Sequence, residues 1–117
     1  LYTDLRALFK KVSILLKQNF VQEIDERGTI DFLAFTGKFV DNTQVPTDLF
    51  LVGSIDASAL SRVIAGLEKE LGQEINYTLM SLEEFLYRRQ IADRFLLTIM
   101  DTPKVAMIDR LPARSTE

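Results

Sequence analysis

The chain has 117 residues, of which 47% are hydrophobic and 26% are charged, and its formal net charge is −3. This size and composition are typical of one compact globular domain. The weakly acidic balance argues against a nucleic-acid-binding domain, which is usually basic. The sequence has neither cysteine nor histidine, which excludes disulfides, thiolate chemistry and histidine-based catalysis. Any metal ion would have to bind carboxylates and carbonyls, which favours Mg²⁺ or Mn²⁺ over Zn²⁺.

Signals for a membrane or for export are missing from the sequence. No apolar run approaches the roughly 18–20 residues that cross a bilayer, and residues 1–17 carry charges inside their apolar pattern, unlike a signal peptide. We therefore expect no membrane partner and a cytoplasmic location. The first residue is leucine rather than methionine, from which we expect the chain to be part of a longer protein.

The first predicted element is a long amphipathic helix from Thr3, a suitable N-cap, to about Arg27, before Gly28 as its stop. Its apolar residues recur at i, i+3, i+4 and i+7 in one continuous stripe: Leu5, Leu8, Phe9, Val12, Leu15, Leu16, Phe20 and Ile24. The opposite face is interpreted as a solvated surface, with a binding patch as the alternative; it holds Lys10, Lys11, Lys17 and Glu23.

Two strands separated by a loop follow this helix. Residues 29–36 (TIDFLAFT) and Asp48–Val52 (DLFLV) have the composition of buried strands, the second covered on both faces. Pro46 marks the start of the second strand because proline cannot donate to a sheet. The polar loop of residues 37–47 is too short for a crossover helix, so the two strands are expected to be antiparallel neighbours.

The second half of the chain alternates helices and strands. A turn is predicted at 53–56, a helix at 57–71 between the caps Asp56 and Gly72, and a strand at 74–80. Ser81 opens a capping box, and the helix that follows continues to Met100 with a break near Ala92–Asp93.

A fourth short strand is predicted at 104–108, and residues 109–117 are expected to form a polar tail. The order α-β-β-α-β-α-β predicts one α/β (α+β) domain over residues 1–108, with a mixed sheet of about four strands packed against helices. Nine side chains are expected in its core: Leu16, Phe20, Phe32, Leu49, Leu51, Val63, Leu67, Ile75 and Phe95.

The loop between the first two strands carries the most informative motif, Gly37-Lys38 followed by Pro46-Thr47-Asp48. This layout resembles the core of the polymerase-β-like nucleotidyltransferases, in particular their small minimal domains, in which a strand ends in Gly-Ser and the next strand carries Asp-x-Asp. In that family, two or three carboxylates hold two divalent metal ions beside the triphosphate, and the Gly-Ser turn holds the phosphates.

The resemblance implies roles for single residues. Gly37 matches the family glycine and Asp48 the second aspartate, so the resemblance implies nucleotide binding at Gly37 and Lys38 and metal binding at Asp48. Lys38 replaces the serine, however, and Pro46 replaces the first aspartate. The third family carboxylate falls nearest to Asn76, which is neutral. One carboxylate will not hold two Mg²⁺ ions, so we expect a degenerate site with a vestigial Asp48 and no cofactor, or Mg²⁺ if the site is active.

Alternatives stay open for these side chains. Lys38 is interpreted either as an ordinary exposed turn lysine or as a point charge that binds phosphate or pairs with Asp48 where a metal ion would lie. Asp48 is interpreted either as a ligand or as a residue that accepts N–H groups of the loop. Asp41 and Asn76 are conceivable substitutes for the missing carboxylates.

The resemblance extends over about residues 1–108. Residues 51–85 are similar to the segment after the catalytic strand in nucleotidyltransferase domains that follow winged-helix regulators, and residues 1–9 (LYTDLRALF) resemble the connector between the two modules. This implies that DNA is bound only through a module outside this chain.

We therefore expect a non-catalytic assembly or sensory domain of a larger protein. Its partner would be another protein or a second copy of the chain, contacted through the N-terminal helix. The alternative is an active metal-dependent nucleotidyltransferase, including an antitoxin-like one that works with a helical toxin.

Overall fold

A mixed sheet of four strands forms the centre of the fold in the computed structural model, which describes residues 5–112 except for the side chains of residues 6, 7, 9 and 10. The strands are β1 (Gly28–Phe35), β2 (Leu49–Ile55), β3 (Tyr77–Met80) and β4 (Val105–Asp109). Their order in the sheet is β3-β2-β1-β4. β1 pairs antiparallel with β2 and β4, and β2 pairs parallel with β3. The predicted mixed sheet and the antiparallel first pair are confirmed.

Helices cover both faces of this sheet. The four helices are α1 (Leu5–Arg27), α2 (Ala57–Leu71), α3 (Leu82–Gln90) and α4 (Arg94–Asp101), and a 3₁₀ turn spans Gly37–Val40. α1 and α2 pack on one face around Leu49 and Leu51, whereas α3 and α4 pack on the other around Phe50 and Val52. These four consecutive residues are buried because successive side chains of a strand point to opposite faces. The apolar run of β2 is thus explained.

Short polar side chains fix the helix ends where the sequence predicts them. Asp56 accepts a hydrogen bond from the Ala59 N–H at 3.0 Å, and Ser81 accepts one from the Glu84 N–H at 3.0 Å. Asp93 caps α4 through the Leu96 N–H, which confirms the predicted break between α3 and α4. Each cap satisfies a donor that the first helical turn leaves without a backbone partner.

Several predicted boundaries are wrong. The turn expected at 53–56 does not form, because β2 continues to Ile55 and Gly53 pairs with Ile30. Gly53 has φ +150° and lies so close to the Thr29 carbonyl that a side chain would overlap it. The predicted end of α1 at Arg27 is confirmed, but Gly28 is already the first residue of β1, which was expected to begin at Thr29. Glycine is tolerated inside strands where another backbone approaches closely. The sequence alone does not distinguish such a strand glycine from a turn glycine.

Three further boundaries differ from the predictions. β3 begins only at Tyr77, and the expected loop of residues 37–47 contains the 3₁₀ turn. Asp109 belongs to β4 rather than to the tail, and the Arg110 N–H donates to the Asp31 carbonyl at 2.7 Å. Residues 113–117 and the predicted cap Thr3 lie outside the described residues.

The predicted core is confirmed at six of its nine positions. Leu16, Val63 and Phe95 are only partly buried, at the margins of the two core clusters. Among the described side chains of the apolar stripe on α1, Phe20 and Ile24 pack into the core and Leu16 lies at its margin. Between residues 5 and 112, no helix combines the length and the apolarity that crossing a membrane requires.

Candidate functional site

Asp48 lies directly before β2, and its side chain is buried with 4% exposure. The Lys38 N–H donates to its Oδ1 at 2.9 Å, and the Asn76 N–H donates to its Oδ2 at 3.0 Å. The Asp48 N–H in turn donates to the Asn76 carbonyl at 2.7 Å. The carboxylate therefore joins the 3₁₀ turn to the segment that leads into β3, which is the arrangement expected of a residue that accepts loop N–H groups.

The Lys38 side chain closes the same arrangement from the solvent side. Its Nζ lies 3.5 Å from Asp48 Oδ2 and donates to the Glu74 carbonyl at 2.7 Å. The pairing considered for Lys38 and Asp48 is thus present. Because the Lys38 ammonium lies beside the buried Asp48 carboxylate, the negative charge of Asp48 is offset by a cation of the same chain.

Gly37 makes this close packing possible. It has φ +55°, and a side chain there would overlap both the Asp48 carboxylate and the Thr47 carbonyl. A positive φ is costly for residues other than glycine, so backbone conformation and space both require glycine at this position.

A surface pocket of about 370 Å³ opens above this turn. The structure brings all of the sequence-predicted positions together along its wall: Gly37, Lys38, Asp41, Pro46, Asp48 and Asn76. Asp41 caps the 3₁₀ turn in the left-handed region with φ 55°, and its side chain is exposed. Asn76 contributes its backbone N–H and carbonyl to Asp48 rather than a side-chain ligand.

The residues of this pocket do not fit a pair of divalent cations. Within residues 5–112, no group of three or more histidine, cysteine, aspartate or glutamate side chains is placed to hold a metal ion. Asp48 already binds two N–H groups and an ammonium, and a metal ion at its oxygens would meet the charge of Lys38. Two Mg²⁺ ions would need several carboxylates to offset their mutual repulsion.

A polar network beneath the pocket was not anticipated from the sequence. The Asn42 side chain, which is buried, donates to Thr102 Oγ1 at 2.8 Å and to the Pro103 carbonyl at 3.2 Å, and its Oδ1 accepts from the Gln44 N–H at 3.0 Å. Thr36 Oγ1 donates to the same Pro103 carbonyl at 3.1 Å. The network ties the loop to the end of α4. The bond from Gln44 is an Asx turn, which asparagine favours in loops, so this part had a sequence signal.

The N-terminal half of α1 is the second notable surface. Leu5, Leu8, Val12 and Leu15 are 46–73% exposed; all four belong to the predicted apolar stripe, and none is among the side chains expected in the core. Spaced by three, four and three residues, they occupy alternate a and d positions of a heptad. We call these four residues the apolar seam.

The lysines of α1 do not form the single solvated face expected for them. Lys11 is exposed, but the Lys17 ammonium lies 4.9 Å from the ring centroid of Phe39, toward the sheet. The side chain of Lys10 lies outside the description.

Comparisons of the chain with protein-family models, with curated proteins and with solved structures found no match.

Proposed function

We propose that the chain is a nucleotidyltransferase-like domain that serves assembly rather than nucleotidyl transfer. In this proposal it pairs with a second copy through the apolar seam of α1, in the cytoplasm, as part of a larger protein that contacts DNA through another module. The observation that carries the proposal is the exposure of the seam on a helix whose other half is anchored in the core.

The geometry of α1 separates the seam from the core. At about 100° per residue along an α-helix, the seam lies roughly 120° around the helix from Phe20 and Ile24, which pack on the sheet. A helix that is anchored at one end and apolar along a second stripe at the other end is built to contact two different surfaces. Exposed apolar stripes of this kind mark protein interaction sites.

A second copy of α1 is the occupant that fits the seam best. The a/d spacing of the seam is self-complementary, since the same spacing on another α1 supplies both knobs and holes. The next a position after Leu15 is Asn19, which is exposed, and a single asparagine at an a position is a known determinant of register. Each seam side chain would contribute about 1.5–3 kcal/mol if fully buried, before the cost of association is subtracted.

The site at Asp48 supports the non-catalytic half of the proposal. Its carboxylate stabilises the loop through Lys38 and Asn76, which is a structural use of a residue that the family employs as a metal ligand. Pro46 offers no side-chain donor or ligand where the family has its first aspartate. The chain thereby keeps the glycine turn and the strand of a phosphate-transfer site without its set of carboxylates.

Sedimentation velocity over a dilution series tests the assembly. We expect the native chain to shift from dimer to monomer on dilution, and the Leu8→Lys variant to remain monomeric at every concentration. Tyr87→Lys is the matched control, because Tyr87 is 62% exposed on α3, outside the seam. A native chain that stays monomeric throughout, or a Leu8→Lys variant that dimerises like the control, would overturn the proposal.

A nucleotidyl-transfer assay tests the second half of the proposal, that the domain is not catalytic. With Mg²⁺ and each of the four labelled ribonucleoside triphosphates, we expect no label on protein or RNA. Metal-dependent transfer by the native chain that a folded Asp48→Asn variant lacks would favour the active nucleotidyltransferase instead.

DNA binding by the isolated chain is a separate outcome. With a formal charge of −3, the chain should bind duplex DNA no better than other weakly acidic proteins, because phosphate contacts require clustered lysine and arginine. Fluorescence anisotropy with a labelled duplex measures this. Tight binding with a steep salt dependence would contradict the assignment of DNA contact to another module.

A further inference from the structure

A second cavity, of about 280 Å³, lies between α1, the 3₁₀ turn and the free edge of the sheet at β4. On this face α1 and α2 pack beside each other over β1 and β2, and β4 at the edge is left partly uncovered. Val105 is about half exposed as a result. The apolar wall of the cavity is formed by Ile14, Phe35, Phe39, Val40, Val105 and Met107.

One cation faces this apolar wall. The Lys17 ammonium lies 4.9 Å from the ring centroid of Phe39 and 5.7 Å from that of Phe35, and the two rings pack edge to face at 4.8 Å. Loss of hydration through burial lowers the pKa of Lys17 below its ordinary value of 10.5. Ring faces attract the ammonium but accept none of its three hydrogen bonds as a carboxylate would.

Lys17 differs in this from Lys38. The ammonium of Lys38 has Asp48 and the Glu74 carbonyl as partners, whereas Lys17 forms no ion pair with the described part of the chain. Its neighbours one turn away, Ser13 and Val21, are uncharged. A half-buried cation above aromatic rings is a position at which an anion from outside the chain gains both an ion pair and a donor.

We propose that this cavity binds a small amphiphilic monocarboxylate. The apolar body of the ligand lies against Phe35, Phe39 and Met107, and its carboxylate accepts from the Lys17 ammonium. Gln18, exposed at the rim, offers a carboxamide as a second donor. The volume, near the lower limit for small-molecule sites, selects a ligand of the size of a medium-chain fatty acid. An inorganic anion is a poorer match because the walls are apolar.

This site is independent of the apolar seam. Ile14 and Lys17 lie on the opposite side of α1 from Leu8 and Val12, since they are separated by roughly half a turn around the helix axis. Of the described residues after β4, Arg110 pairs with Asp25 on α1 and Leu111 packs beside α3 and α4, and neither lines the cavity. Ligand binding here is therefore compatible with either outcome of the sedimentation experiment.

An NMR titration with octanoate, and with octanol as its uncharged counterpart, tests the proposal. We expect saturable octanoate-induced shifts confined to the amides around Phe39, Val105 and Lys17, and weaker binding of octanol at the same place. Lys17→Met keeps the aliphatic stem and removes the charge. We therefore expect its affinity for octanoate to fall by about tenfold or more and its affinity for octanol to stay unchanged. Lys11→Met, on the same helix but exposed, should leave both affinities unchanged.

Two further variants keep the test independent of any folding defect. Lys17→Arg retains the charge and should bind octanoate within a few-fold of the native chain. Val105→Trp, at the exposed edge of β4, should fill the cavity and abolish binding of both probes. Shifts that do not saturate, shifts spread over the surface, or equal octanoate affinity in Lys17→Met and the native chain would each overturn the proposal.

Discussion

Asp48 shows how one buried carboxylate organises the loop around it. Its two oxygens accept from the backbone of Lys38 and of Asn76 and face the Lys38 ammonium. No described buried side-chain polar atom lacks a partner, so removal of one member of this set would leave donors buried without a hydrogen bond. Such donors are costly because they lose water without compensation.

Replacement of Asp48 by asparagine tests this role. In Asp48→Asn, one of the two bound N–H groups must face an NH₂ group, so we expect the free energy of unfolding to fall by about 1–3 kcal/mol. Asp41→Asn is the matched control, because Asp41 lies in the same pocket wall but has an exposed side chain, and asparagine tolerates its positive φ. Urea denaturation measures both, and equal unfolding midpoints for the two variants would contradict the structural role of Asp48.

Gly37 offers a second test at the same turn. Alanine at Gly37 would be destabilised by the positive φ and would also overlap Asp48 and Thr47. Alanine at Gly72 would be destabilised only by its φ of +71°, since nothing lies within 4 Å of the added carbon. The positive φ costs each variant about 1–2 kcal/mol of stability. The additional loss of stability in Gly37→Ala relative to Gly72→Ala therefore measures the cost of the steric overlap. Equal losses in thermal denaturation would show that the loop moves freely away from Asp48.

At the scale of elements, α1 is a helix of two halves. The C-terminal half packs into the core with Phe20 and Ile24, and the N-terminal half carries the exposed seam. The sequence predicts the helix and its apolar spacing correctly, but spacing along one element does not reveal which neighbour covers it. The helix was expected to offer apolar positions to both the core and a partner, and for this reason the division between its two halves could not be predicted.

Two truncations on α1 measure the difference between its halves. Phe20→Ala should lower the free energy of unfolding by about 3–5 kcal/mol, because a buried aromatic ring leaves a cavity. Leu15→Ala should change it by no more than about 0.5 kcal/mol at dilutions where the chain is monomeric. Chemical denaturation monitored by circular dichroism measures both variants. A large loss of unfolding free energy in Leu15→Ala under those conditions would place the N-terminal half in the core.

An ion pair between α1 and the end of β4 gives a pH-dependent prediction. Arg110 donates to both carboxylate oxygens of Asp25, at 2.9 and 3.0 Å, and these bonds lower the pKa of Asp25 below its ordinary value of 3.8. A carboxyl group whose pKa is lower in the folded state stabilises the fold above its ordinary pKa and loses this effect as the pH falls further.

A double-mutant cycle of Asp25→Asn and Arg110→Met isolates this pair. We expect a small coupling energy at neutral pH, as is usual for exposed pairs, that declines as the pH falls below 3.8 toward the lowered value. Chemical denaturation at a series of pH values provides the measurement. A coupling that grows toward acidic pH would contradict the assigned sign.

At the scale of the whole molecule, the sheet and its two helical layers were predictable. Apolar runs such as residues 49–52 and caps such as Asp56 and Ser81 are local signals, and each was confirmed. The meaning of Gly28 and Gly53 was not predictable, because their closeness to a neighbouring strand is a long-range property.

The pocket around Asp48 was predictable only in part. The motif brought Gly37, Lys38 and Asp48 together correctly, whereas the contacts of Asn42 with Thr102 and Pro103 join residues that are 60 and 61 positions apart. The cavity beside Lys17 depends on an uncovered sheet edge, which no spacing within α1 indicates.

Cross-linking of single-cysteine variants tests the central claim, pairing through the apolar seam, most directly. The chain has no cysteine of its own, so Val12→Cys places one thiol in the seam and Ile14→Cys, equally exposed, places one on the opposite side of the same helix. With a short bismaleimide, we expect Val12→Cys to give a covalent dimer that addition of Leu8→Lys abolishes, and Ile14→Cys to remain monomeric. Equal dimer yields from the two variants, or none from either, would contradict self-association through α1.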